Sequence, residues 1–139
     1  IGTHTCILLI EAGYHVIGLD NFSNASKESI NRVEKIVGKE ITLVEGDIRN
    51  RDDLHKVFNA HKIDAVIHFA GLKAVGESVA EPLKYYDNNI HGTIVLCEVM
   101  QICIGWISQW KVSGNFRWEF YADEWFYSIY FTAEHCYVL

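Results

Sequence analysis

The chain has 139 residues, half of them hydrophobic, and a formal net charge of −6. That length supports one domain with a real core, and that hydrophobic share excludes a disordered chain. The acidic balance argues against nucleic-acid binding, which runs on Lys and Arg neutralising phosphates. An anionic ligand held by a few placed groups remains compatible with it.

Cys6, Cys97, Cys103 and Cys136 form no CxxC, and no Cys/His cluster has zinc spacing, so no metal site is expected. Scattered thiols without a secretory signal point to a reducing compartment, the cytoplasm. No stretch is long and apolar enough to span a membrane.

Taken in chain order, residues 3–12 read as a helix stopped by Gly13. Residues 15–19 are a short apolar strand ending at Asp20, followed by a loop over 21–26. Ser26 is placed to cap a helix over 27–37, with Ile30, Val33, Ile36 and Val37 on one face and Gly38 at its end. Residues 41–45 form the next strand, with Gly46-Asp47-Ile48 as its exit. A helix over 51–61 turns Leu54, Val57 and Phe58 inward. Residues 65–69 are the most apolar strand. Pro82 suits the first turn of one long helix carrying Leu83, Tyr86, Ile90, Ile94 and Leu96.

The order α-β-α-β-α-β-α implies parallel strands joined by helical crossovers. Strands this apolar are covered on both faces. The fold class is α/β, a partial doubly wound Rossmann-type sheet whose first strand is expected to be missing ahead of Ile1. That strand is central in such sheets, so its absence leaves unpaired edges. Residues 1–100 carry this pattern. Residues 101–139 form a second region that holds all four tryptophans and no clear period. It reads as an aromatic binding surface or, more plainly, as a shifted reading frame or retained non-coding stretch.

Ligands of such sheets sit at the C-terminal ends of the strands. Asp20 stands there, 18 residues after Gly2. It suits the ribose hydroxyls of an adenosine, and its charge favours NAD over NADP; a loop-capping Asp is the alternative. Gly2 fits the last glycine of a G-x-x-G-x-x-G loop, or merely a helix start. Asp47 and Ile48 suit an adenine, through the exocyclic amine and the ring face, or a turn. Phe69-Ala70-Gly71 offers small residues where a cofactor nears the backbone, and Lys73 offers a cation. Asn88 is intrinsically unfavourable in a helix, so its amide is expected to bond a neighbouring strand or the cofactor, or to face solvent. His68 reads as a satisfied core histidine, and Tyr85-Tyr86 as packing.

Several runs together resemble the UDP-glucose 4-epimerases, a family of extended short-chain dehydrogenases. They are Ile1-Gly2-Thr3-His4-Thr5, Leu19-Asp20-Asn21-Phe22-Ser23-Asn24 and Glu45-Gly46-Asp47-Ile48-Arg49. The most specific is Val66-Ile67-His68-Phe69-Ala70-Gly71-Leu72-Lys73-Ala74-Val75-Gly76-Glu77-Ser78-Val79. It continues into Pro82-Leu83-Lys84-Tyr85-Tyr86-Asp87-Asn88-Asn89 and Gly92-Thr93. The resemblance covers residues 1–100.

It implies NAD held as a prosthetic group. Ile1 and Gly2 would belong to the glycine loop, Asp20 to the adenosine ribose, with Asn21 and Asn24 on the same loop. Asp47 and Ile48 would contact adenine, Phe69, Ala70, Gly71 and Lys73 would line the nicotinamide side, and Asn88 would complete the site. It implies UDP-glucose and UDP-galactose as substrates of an intact member, in galactose metabolism. It also implies a homodimer built on the segment around 82–100 plus a further helix that these 139 residues are expected to lack. The family's base is a Tyr in Tyr-x-x-x-Lys, and no Tyr here has Lys four residues later. No catalytic residue is therefore assigned, and the chain alone is expected to be inactive. Another nucleotide-sugar dehydrogenase, or a non-catalytic nucleotide- or protein-binding module, stands as the alternative.

Overall fold

The computed structural model describes residues 1–104 and 135–138. Helix α1 (Gly2–Glu11) leads into strand β1 (His15–Asp20). Gly13, at φ +92°, makes the turn between them; there the Tyr14 N–H bonds back to the Leu9 carbonyl at 3.0 Å. Helix α2 (Glu28–Val37) precedes β2 (Thr42–Glu45), and α3 (Arg51–Ala60) precedes β3 (Ala65–Ile67). Then follow α4 (Val75–Ala80), α5 (Pro82–Tyr85), a π-helical turn (Tyr86–His91), α6 (Gly92–Ile104) and strand β4 (His135–Val138).

All strand pairs are parallel, in the order β2-β1-β4-β3. Successive side chains of a strand face opposite ways, and β1 shows it. Val16 joins Cys6, Ile10, Val33 and Ile41 beneath α1 and α2. Ile17 and Leu19 join Leu54, Val57, Phe58, Val95, Leu96 and Val99 beneath α3 and α6. The sheet is thus covered on both faces, as its apolar strands require.

Strand β4 was not foreseen. Its backbone lies between β1 and β3, with Val16 opposite Cys136 on one side and Ala65 opposite Cys136 on the other. This is the central place where the sequence reading wanted a strand from ahead of Ile1. Two parallel edges with open N–H and C=O groups attract any segment able to extend between them. Residues 101–104 continue helix α6, and the remainder of the aromatic region, including its tryptophans, lies outside the described residues.

Other departures are local. Asn50 caps α3, its side chain accepting from the Asp52 N–H at 3.0 Å. Ser26 stands one residue outside the N-cap of α2, where its hydroxyl accepts from the Glu28 N–H at 3.3 Å. Ile36 points to solvent. The expected long helix is three segments, preceded by α4. Leu83, Tyr86, Ile90 and Ile94 are exposed, whereas Leu96 is buried. The π turn lets Gly92 pass close to Ile48: a Cβ on Gly92 would come within 2.7 Å of Ile48 Cδ1.

Candidate functional site

Because the strands are parallel, β1, β2 and β3 end on one edge of the sheet. A cavity of ≈ 270 Å³ opens there. Ile1, Gly2, Asp20, Asn21, Asn24, Ile48, Phe69, Ala70, Gly71 and Asn88 all line it. Of the residues selected from sequence, Asp47 and Lys73 do not. Lys73 is exposed, two residues past Gly71.

The loop after β1 is held by its own side chains. Asp20 Oδ1 accepts from the Phe22 N–H at 2.8 Å, and Asn21 Oδ1 accepts from the Ser23 N–H at 3.0 Å. These successive Asx turns put Phe22 at φ +53°, a left-handed conformation costing a bulky residue about 1–2 kcal/mol. Strain of this kind persists where surrounding contacts over-determine it. The Lys27 ammonium, 5.0 Å from the Phe22 ring centre, adds one such contact, and it also pairs with Glu45 at 2.7 Å. Among the described contacts Asp20 Oδ2 meets no protein donor, so this carboxylate keeps an open acceptor at the cavity.

Asp47 is the opposite case. Its Oδ1 accepts from the Arg49 backbone N–H and from Arg49 Nε, both at 2.9 Å. Its Oδ2 accepts from the Arg49 guanidinium at 2.7 Å and from Asn21 Nδ2 at 3.0 Å. The Arg49 bonds hold the Asp47 carboxyl well below the usual carboxylate range, outweighing partial burial. Arg49 also donates to Asp87 at 2.8 Å, joining the β2 exit to the π turn. Its guanidinium is in turn held well above its ordinary value, first by Asp47 and then by Asp87.

On the far wall β3 stops at Ile67, two residues earlier than expected, because side chains take over from the ladder. The His68 ring is buried. Its Nδ1 accepts from the Ala70 N–H at 3.3 Å, so Nε2 carries the proton and donates to Thr93 Oγ1 at 3.2 Å. The Thr93 hydroxyl donates onward to the Asn89 carbonyl at 2.6 Å. Burial, with a smaller push from the Lys73 charge, holds the His68 ring below its ordinary value. Asn88 Nδ2 donates to the Ala70 carbonyl at 2.8 Å and to Asn89 Oδ1 at 2.9 Å. Asn88 therefore bonds the backbone leaving a strand, one of the three roles its helical position suggested.

Sequence reasoning missed Asn89 and Arg49. Asn89 copies a strand edge: its Oδ1 accepts from the Leu72 N–H at 2.8 Å and its Nδ2 donates to the Leu72 carbonyl at 2.9 Å. Asn89 carries the same signal as Asn88, a second amide inside an apolar helical pattern. For Arg49 the signal was a basic residue two positions after an acid at a strand exit, which is too common to notice.

The arrangement offers an acidic acceptor, an apolar cover and small backbone-exposing residues at one sheet edge. No metal-binding group of His, Cys, Asp and Glu is present among the described residues. The GDP-mannose 4,6 dehydratase family matches residues 1–115. A UDP-glucose 4-epimerase from Bacillus subtilis is 56% identical over 101 residues, which is 73% of this chain and 30% of that protein. A Klebsiella pneumoniae sequence of the same name is 52% identical, with 73% of each chain covered. The solved UDP-glucose 4-epimerase from Bifidobacterium longum, in complex with NAD+ and UDP, superimposes with TM-score 0.72. It is 51% identical, over 73% of this chain and 30% of that one. The chain therefore spans about a third of the length of most of the curated relatives it matches.

Proposed function

We propose, for a chain that belongs to the GDP-mannose 4,6 dehydratase family and within it stands with the UDP-glucose 4-epimerases, that it forms the NAD-binding part of an epimerase of galactose metabolism. The whole enzyme would interconvert UDP-glucose and UDP-galactose. The single observation that carries the reading is the cavity at the sheet edge, with Asp20 presenting an open carboxylate oxygen at the end of β1.

The residues fit the cofactor. Asp20 accepts hydrogen bonds from ribose hydroxyls, and its charge repels a 2′-phosphate, so NAD is selected over NADP. Asn21 and Asn24 stand on the same loop. Ile48 covers an adenine face while Asp47 draws the amine. Phe69, Ala70 and Gly71 let the nicotinamide side approach the backbone, with Asn88 holding Ala70 in place. Ile1 and Gly2 begin α1, whose first N–H groups suit a pyrophosphate. Lys73 lies beyond the cavity and would act at longer range. NAD, when bound, supplies a hydride acceptor at the sugar. Removal of the sugar hydroxyl proton needs a Tyr-x-x-x-Lys pair, and no Tyr of these 139 residues has Lys four positions later.

Titration calorimetry on the 139-residue chain tests this. NAD is expected to bind more tightly than NADP, without conversion of UDP-galactose. Asp20→Ala should weaken NAD about tenfold and erase the preference. Equal affinity for both dinucleotides in the unsubstituted chain would overturn the reading.

A homodimer and a cytoplasmic location belong to the same proposal. The exposure of Leu83, Tyr86, Ile90 and Ile94 supports the first: four large apolar groups this close along the chain are unusual on a solvated surface. Cys6, Cys97 and Cys103 are free thiols, which supports a reducing compartment. No described helix is long and apolar enough to cross a membrane. Sedimentation of the whole enzyme should show a dimer that Leu83→Glu with Ile90→Glu converts to monomer; a whole enzyme monomeric throughout would remove the dimer.

A further inference from the structure

Asp47 is the group on which the proposed adenine contact depends, yet it does not line the cavity, whereas Asn21 does. A carboxylate offers about four lone-pair positions. At Asp47 four donors occupy them: the Arg49 N–H, Arg49 Nε, the second Arg49 nitrogen and Asn21 Nδ2. An incoming amine finds no vacancy and must displace one donor.

Three of the four come from Arg49. Its guanidinium bonds are charge-assisted and two-pronged, and the same guanidinium is anchored to Asp87. The fourth is a neutral amide at 3.0 Å, the longest contact of the set. Asn21 sits between Asp47 and the cavity, and the group it presents is an sp² NH2, the same hydrogen-bonding unit as the exocyclic amine of adenine.

We infer that the Asn21 side chain is an internal stand-in for the adenine amine, and that Asp47 accepts a nucleobase only in exchange for it. This rests on the reading that an adenine nucleotide seats against Asp47. Asn21 then competes with the base amine for Asp47 and sets how much an amino base gains there. A base without an amine leaves the Asn21–Asp47 bond intact and gains nothing from Asp47. The Asn21 Oδ1 bond to the Ser23 N–H gives the displaced amide a fixed hinge.

The test titrates the 139-residue chain with AMP and with purine riboside 5′-monophosphate, which lacks only the amine. Asn21→Ser keeps a short oxygen for the Ser23 N–H but withdraws the donor from Asp47. The variant is expected to bind AMP about fivefold more tightly than the unsubstituted chain and the purine analogue no more tightly. An equal change for both nucleotides, or weaker AMP binding, overturns the inference. Nuclear magnetic resonance of the Asn21 side-chain amide provides a readout without substitution. Its protons should be protected in the free chain, exposed by AMP, and still protected with the purine analogue. AMP binding that leaves them protected overturns the exchange alone. Failure of both nucleotides to bind overturns the cofactor reading as well.

Discussion

The two walls of the cavity are held by different forces. On the side where β1 and β2 end, the contacts are ionic and half-exposed: Asp47, Arg49 and Asp87 in one chain, Lys27 and Glu45 in another. On the side where β3 ends they are neutral and buried or part-buried: Asn88, Asn89 and His68 bond the backbone that leaves the strand, and Thr93 links His68 to the Asn89 carbonyl. A neutral amide buried with its partners tolerates little, because any loss leaves an unpaired group out of reach of water. An ion pair near water can exchange its partners for solvent at small cost. The interior wall is therefore built to stay fixed, and the ionic wall to yield.

The largest expected effect is on the fixed wall. Asn88 is 7% exposed, and its Nδ2 donates to two oxygens. Asn88→Asp sets a carboxylate against the Ala70 carbonyl and Asn89 Oδ1, and should cost about 3 kcal/mol or more in urea unfolding. A loss below about 1 kcal/mol would erase the distinction between the walls.

Arg49→Ala should be milder, about 1 kcal/mol, since Arg49 and Asp47 side chains are 38% and 23% exposed. The difference from the unsubstituted chain should shrink in 1 M salt, which screens exposed pairs. No such salt dependence is expected for the difference between Asn88→Ala and the unsubstituted chain, whose lost bonds are neutral.

The smallest effect separates the walls by pH. His68 has a lowered folded value, so its neutral form contributes stability fully above its unfolded value of about 6.5. That contribution is lost as pH falls below 6.5 through the folded value. Asp47 is also lowered, and its contribution, present above about 3.9, is lost only in stronger acid. Urea midpoints measured from pH 8 to pH 3 should fall in two stages, the upper one abolished by His68→Gln. A single stage below pH 4 would mean that His68 is not held neutral by its surroundings.

Local chemistry was legible where a residue type has few uses. Gly13 and Gly38 stop helices because they tolerate positive φ, and Asn88 betrayed itself as an amide in a helix. The ends of β1 and β2 were legible because apolar runs stop at an acid. The break of the long helix was not, since a π turn depends on where Gly92 must pass Ile48. Nor was the exposure of Leu83, Tyr86, Ile90 and Ile94: a 3.6-residue period reveals that a face is apolar, not what it faces.

The sequence by itself determined that strands alternate with helices, that they run parallel, and that Asp20, Asp47 and Phe69-Ala70-Gly71 fall at one edge of the sheet. Those follow from periodicity and from the rule that parallel strands end together. Only the tertiary structure decided that β4 stands between β1 and β3, and that Asp47 is enclosed by Arg49 and Asn21 while Asp20 stays open. Hydrogen bonds between residues 26 or 38 positions apart leave no period in a sequence. They exist because the fold brings strand exits within 3 Å of one another, and buried or half-buried polar groups must then choose partners.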